Sequence, residues 1–168
     1  MKSSPYIVWC LILVTSVFLA TTSSGQTTGL TTRGTTGLIY TDSPETLDEG
    51  YLGLTTYFTY ADADKHYRFQ DADEWLEDEY TLDPAITLGI TPRLEIAVAK
   101  PYIWYDGSRD ADGFSDLALS AKYGFLQESE GDPFGLALKP FTYFLTGETS
   151  DGLGRHATDA GIDAIIAG

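Results

Sequence analysis

From Tyr51 to Tyr60 the even positions carry Leu52, Leu54, Thr56, Phe58 and Tyr60, and the odd ones Tyr51, Gly53, Thr55, Tyr57 and Thr59. Side chains of a strand alternate between its faces, so this run predicts a strand with one apolar side and one small or hydroxylated side. The same period returns in 81–90, where Leu82, Pro84, Ile86, Leu88 and Ile90 oppose Thr81, Asp83, Ala85, Thr87 and Gly89. A third strand starts at Leu94, with Leu94, Ile96 and Val98 against Glu95, Ala97 and Ala99, and runs to Tyr105. Pro101 has no N–H for a ladder, which predicts a bulge or frayed end there. Further strands are expected over 116–126, over 134–144 with an irregularity at Pro140, and, more weakly patterned, over 158–167.

The connections alternate as well. Those after the first, third and fifth strands are long and polar (61–79, 106–113 and 146–157), whereas 91–93 and 127–133 are short. Six strands of about ten residues, long loops at one end and short turns at the other are the pattern of a transmembrane β-barrel, whose tilted strands need about 9–11 residues to cross. Aromatic residues add two expected belts. Tyr57, Phe58, Tyr60, Tyr80, Tyr102, Trp104, Tyr105, Phe141, Tyr143 and Phe144 fall at the loop ends, and Tyr123, Phe125 and Phe134 at the turn ends. Rings with a polar tip suit the headgroup level. A soluble periplasmic β-sandwich shares the alternation, but its strands are usually nearer five or six residues.

Composition adds compartment. Lys2, the apolar stretch Tyr6 to Ala20 and the small residues up to Gly25 read as a secretory signal, residues 1–25, cleaved before Gln26. The stretch is shorter than the roughly 20 residues of a spanning helix. Residues 26–48 are then expected to be a periplasmic N-terminal segment and 49–168 an all-β, antiparallel up-and-down outer-membrane barrel. The one cysteine, Cys10, lies inside the signal, so the mature chain has no disulfide and no thiolate site. Lys2 is the only charged residue of 1–25, and its removal takes the net charge from -15 to -16. That acidity argues against a nucleic-acid partner, which needs a basic surface.

With the apolar faces toward lipid, the other face carries Asp83, Glu95, Asp116, Lys122, Lys139 and Asp163, the expected lumen-lining set. Counting back from the turns places Lys122 beside Lys139 across one hairpin and near Glu95 across another. These groups either neutralise one another inside a narrow barrel or line a path for a small solute or ion. Acidic residues crowd 61–79 (Asp62, Asp64, Asp71, Asp73, Glu74, Glu77, Asp78 and Glu79), and such a loop can hold divalent cations bridging to lipopolysaccharide. It lacks the fixed spacing of a calcium loop, so no metal is assigned, nor any cofactor. His66 and His156 stand in expected loops, where Ser108 or Ser150 could meet a histidine only by accident of folding, and no Gly-x-Ser-x-Gly elbow occurs; no catalytic residue is assigned and an enzyme is not expected.

Gly113-Phe-Ser-Asp-Leu-Ala-Leu-Ser-Ala-Lys-Tyr-Gly-Phe-Leu126 resembles a recurring strand of the outer-membrane transporter family named for the meta-pathway of phenol degradation. Thr91 to Tyr102 looks like its turn-strand unit, and Leu145-Thr-Gly-Glu148 like its loop entry, so the resemblance spans about 49 to 167. It implies a channel-like barrel passing small, aromatic or hydrophobic compounds, with lipid and lipopolysaccharide around it. A structural, OmpA-like membrane anchor is the alternative. Closed single-chain barrels of this bacterial type have at least about eight strands, so six predict the N-terminal part of a longer barrel, with oligomeric closure the other route.

Overall fold

The computed structural model describes residues 13–18, 29–38, 40–69, 72–107, 111–149 and 153–168. These form an all-β protein with no α-helix among the described residues. Its eleven strands are β1 (Leu13–Phe18), β2 (Gly37–Leu38), β3 (Thr41–Asp42), β4 (Leu52–Phe69), β5 (Ala72–Thr91), β6 (Leu94–Ala99), β7 (Tyr102–Gly107), β8 (Ala111–Phe114), β9 (Leu117–Leu126), β10 (Gly135–Phe144) and β11 (Asp159–Ala167). All but β2 and β3 belong to one antiparallel sheet of order β1-β4-β5-β6-β9-β10-β11, with β7 and β8 extending β6 and β9 beyond a break.

The six expected strands are present as an up-and-down meander. Pro101 divides the third into β6 and β7, as its missing N–H demands, and Ser115-Asp116 interrupts the neighbouring strand at the same level. Pro140 leaves the pairing of β10 with β11 continuous (Lys139 opposite Asp163, Pro140 opposite Ile162), whereas the ladder with β9 skips from Leu138 opposite Tyr123 to Phe141 opposite Ser120, the expected irregularity. Among the described residues the sheet is open: β11 pairs there only with β10, and the other side of β4 carries β1. Of the expected signal, β1 alone is described, running antiparallel to β4 from Leu13 opposite Phe58 to Phe18 opposite Gly53. The remainder of 1–25, with Cys10, lies outside the described residues.

The stretch 61–79 is not the long loop that its acidity suggests. β4 and β5 continue as a paired ladder to Phe69 opposite Ala72, with Arg68 opposite Asp73 and a register shift between Asp62 and Lys65. Arg68 opposite Asp73 is the one pair of opposite charges in register among the described pairs of this ladder; Lys65 stands opposite Leu76, His66 opposite Trp75 and Tyr67 opposite Glu74. The connection 106–113 is likewise shortened by β7 and β8, whose ladder reaches Tyr105 opposite Ala111.

Burial follows the predicted parity, with its sense reversed from that of a soluble core. On β6, Glu95, Ala97 and Ala99 are buried while Ile96 and Val98 are exposed, and on β5, Ala85 and Thr87 are buried while Ile86 is 53% exposed. The polar, small-residue face is covered because residues 29–48 lie across it as a strap. Leu30 and Thr36 form a bridge, β2 and β3 a two-residue hairpin, and Ser43 N donates to Thr36 O at 2.9 Å. Gly34 turns with φ +88°, and a Cβ there would stand 3.0 Å from Ala85 Cβ and 3.2 Å from Ala97 Cβ. Only glycine allows both that conformation and that approach. The described residues of the expected N-terminal segment 26–48 are thus packed on the sheet.

Candidate functional site

Four of the six expected lumen residues form one row across the covered face. Glu95 on β6 is directly opposite Lys122 on β9, and Lys139 on β10 is opposite Asp163 on β11. The register on either side, with Leu138 opposite Tyr123 and Phe141 opposite Ser120, sets Lys139 across from Lys122. Each strand contributes its charge because the period of two places these positions on the covered face. Lys122 Nζ lies 3.0 Å from Glu95 Oε1, both side chains fully buried, and Lys139 Nζ lies 3.1 Å from Asp163 Oδ2.

The strap completes this row with its own groups. Glu95 accepts from Thr36 N at 2.8 Å, from Leu47 N at 2.7 Å and from the Thr36 hydroxyl. Lys122 donates to the carbonyls of Thr36 (3.0 Å) and Ser43 (2.8 Å). Lys139 also pairs with Asp42 of the strap, which in turn accepts from the Thr35 hydroxyl. Taking a charge out of water costs several kcal/mol, about 3–5 kcal/mol when one partner of a buried pair is removed, so full hydrogen bonding of these groups is what makes their burial tolerable. Two buried cations face three carboxylates drawn from five separate segments, which fixes the register of strap on sheet.

Around the row the strap is fastened by uncharged contacts. The hydroxyls of Tyr57 and Thr87 donate to the carbonyls of Leu30 and Gly34. Gln127 Nε2 donates to Thr46 Oγ1 at 2.7 Å, and that hydroxyl donates to Pro92 O at 2.7 Å, tying the far end of the strap to the short turns. Gly89 and Gly135 leave the space that the Leu47 and Asp48 carbonyls and the Pro44 ring occupy.

Asp83 and Asp116 belong to the same face but not to the row. Asp83 is half-buried opposite Tyr57. Asp116 is buried at the break between β8 and β9, where it accepts from the backbone N–H groups of Thr146 (3.1 Å), Gly147 (2.9 Å) and Arg155 (2.7 Å), and so clasps the connection before β11. At the turn end Arg93 pairs with Glu130, whose carboxylate raises the guanidinium above its ordinary value.

The aromatic belts need correction. Phe58, Tyr60, Tyr80, Trp104, Tyr102 and Phe114 form a chain of ring contacts on the open face, with Tyr80 and Trp104 stacked at 5.5 Å and 5°. Tyr123 and Phe125 meet edge to face at 4.9 Å near the turns. Tyr57, Phe141 and Tyr143, by contrast, share the parity of the covered face: Tyr57 holds the strap, and Tyr143 lies under the Arg155 guanidinium at 3.8 Å. Belonging to a strand end did not decide the face; parity did.

Sequence reasoning missed Thr36, Asp42, Ser43 and Leu47 as partners of the row, and Thr46 as the partner of Gln127 and Pro92. A signal was present: Thr-Thr-Gly-Leu occurs at 27–30 and again at 35–38, a run of short hydroxylated residues suited to packing on Gly, Ala and Thr. Among the described residues no cluster of His, Cys, Asp and Glu is arranged to hold a metal ion. Ser108 and Ser150 lie outside the described residues. No family model, curated protein or solved structure matches this chain.

Proposed function

We propose that this protein is an exported outer-membrane β-barrel wall that conducts a small solute along its polar face. The observation that carries the reading is the inverted burial. Leu52, Leu54, Leu82, Ile86, Leu88, Ile96, Val98, Leu119 and Leu138 are exposed on one continuous face while Glu95, Lys122 and Lys139 are buried on the other. So extended an apolar face is costly in water and favourable in lipid. Rings bound this face at both levels. From Tyr80 to Ile90, about ten residues at roughly 3.4 Å and a tilt near 45° span about 24 Å, the height of a barrel's apolar band.

The resemblance to the transporter family of the meta-pathway of phenol degradation supports a conduit for small aromatic or hydrophobic compounds rather than an enzyme, and residues 1–25 support export. A second reading, a structural membrane anchor, is favoured by one observation: the strap fills the polar face. Fractionation and gel mobility test the location. The full-length product should partition with outer-membrane lipid and lipopolysaccharide and migrate differently before and after heating. Recovery as a soluble periplasmic monomer would refute the barrel.

A further inference from the structure

We infer that residues 29–48 are a displaceable plug, and that solute passes only when this strap leaves the Glu95–Lys122–Lys139 row. The inference rests on the barrel reading. Its grounds are the path of the strap, the nature of its attachments and what its departure would leave behind.

The path is transverse. Leu30 meets β4 at Gly53 and Tyr57, Gly34 meets β5 and β6 at Ala85, Thr87 and Ala97, Asp42 reaches Lys139 on β10, and Leu47 returns to Glu95 and Gly89. A segment crossing from β4 to β10 obstructs any passage along that face. Its attachments are separate from the wall. The ladders β4–β5, β5–β6, β6–β9 and β9–β10 contain no strap residue, so the strap can leave without breaking one.

The remaining surface is already neutralised. Glu95 keeps Lys122 at 3.0 Å and Lys139 keeps Asp163 at 3.1 Å, and all four belong to wall strands. A scaffold whose only counter-charges came from the strap would be left with bare buried ions, whereas here the strap adds Asp42 and main-chain groups to pairs the wall makes itself. The strap's own buried groups are mainly threonines (Thr31, Thr35, Thr36 and Thr46), with Leu30 and Leu47, so its release exposes hydroxyls and peptide groups that water can satisfy. Two arrangements of one chain, each with its charges paired, are the requirement for a gate.

The test uses the full-length protein reconstituted in planar bilayers, with potassium chloride conductance as the readout and heat-modifiable gel mobility as the control for insertion. A lock is available at Pro44 and Gly135. A Cβ on Gly135 would stand 2.9 Å from that of Pro44, near enough for slight relaxation to reach the roughly 3.5–4.5 Å of a disulfide. In the mature chain, whose lone native cysteine, Cys10, is removed with the signal, oxidised Pro44→Cys/Gly135→Cys should conduct less than the wild type, and dithiothreitol should restore it. Thr36→Pro/Leu47→Pro removes both backbone donors to Glu95 without touching the wall. It should raise conductance about tenfold or more, since a minor open state of at most about 10% becomes the major one. Equal conductance of the oxidised and reduced lock, or wild-type conductance of an inserted Thr36→Pro/Leu47→Pro protein, overturns the plug and leaves the anchor. A wild-type chain that never inserts overturns the barrel itself, which the gel control reports independently.

Discussion

Strands β6 and β11 carry the same alternation, apolar residues against small or charged ones, yet their covered-face positions end in different surroundings. Glu95, Ala97 and Ala99 of β6 are buried, whereas Gly161, Asp163 and Ile165 of β11 are only half-buried and the Asp163 side chain is 41% exposed. The strap contacts Glu95 and Ala97 directly, while its nearest approach to β11 is through Lys139, shared between Asp42 and Asp163. Alternation therefore selects a face, and a second layer decides how dry that face becomes. Carboxylates at the two ends of one row consequently have very different weight.

The sharpest way to break this contrast is at Lys122. Lys122→Met should leave Glu95 without its cation in the driest part of the row and lower stability by about 3–5 kcal/mol, read as a shift in the urea midpoint of the folded protein. Adding Glu95→Gln should recover part of that loss, because the buried charge is gone while the amide oxygen still accepts from one of the backbone donors, Thr36 N or Leu47 N. Gly89→Val asks whether the strap, rather than the wall, responds to the lost space. Its side chain would displace Leu47 and Asp48, at about 1–3 kcal/mol, and Leu47 N should lose its protection from hydrogen exchange before the wall ladders do. Asp163→Asn sharpens the other side. Lys139 retains Asp42, the lost pair is partly solvated, and the expected change is within about 1 kcal/mol and falls with added salt. A large effect there would mean that β11 is as dry as β6.

Local periodicity made most of the wall legible. The parity of 51–60, 81–90, 94–99 and 116–126 placed Glu95, Lys122 and Lys139 on one face, and counting from the turns brought them together. Three features escaped for one physical reason, that their causes are not local. Tyr57, Phe141 and Tyr143 looked like belt residues by position along their strands, but their partners are the Leu30 carbonyl, Gly161 and Arg155 on other segments. Acidic 61–79 reads as a long polar loop, while the ladder from Ala61 opposite Glu79 to Phe69 opposite Ala72 continues the pairing of β4 with β5. Threonines of the strap gave no sign of burial because their partners Glu95, Pro92 and Gln127 lie far along the chain.

The strap's contacts also reverse the order in which the chain is made. Thr36 meets Glu95 across 59 residues, Lys122 across 86, and Asp42 meets Lys139 across 97. Residues 29–48 emerge before every strand that holds them, and their seat is complete only once β10 has paired. The complete seat of the strap therefore requires β10, a closure of high contact order compared with the hairpins. Until then this stretch must wait without associating wrongly. Threonine and glycine in place of longer apolar residues give a segment with little reason to aggregate during that interval.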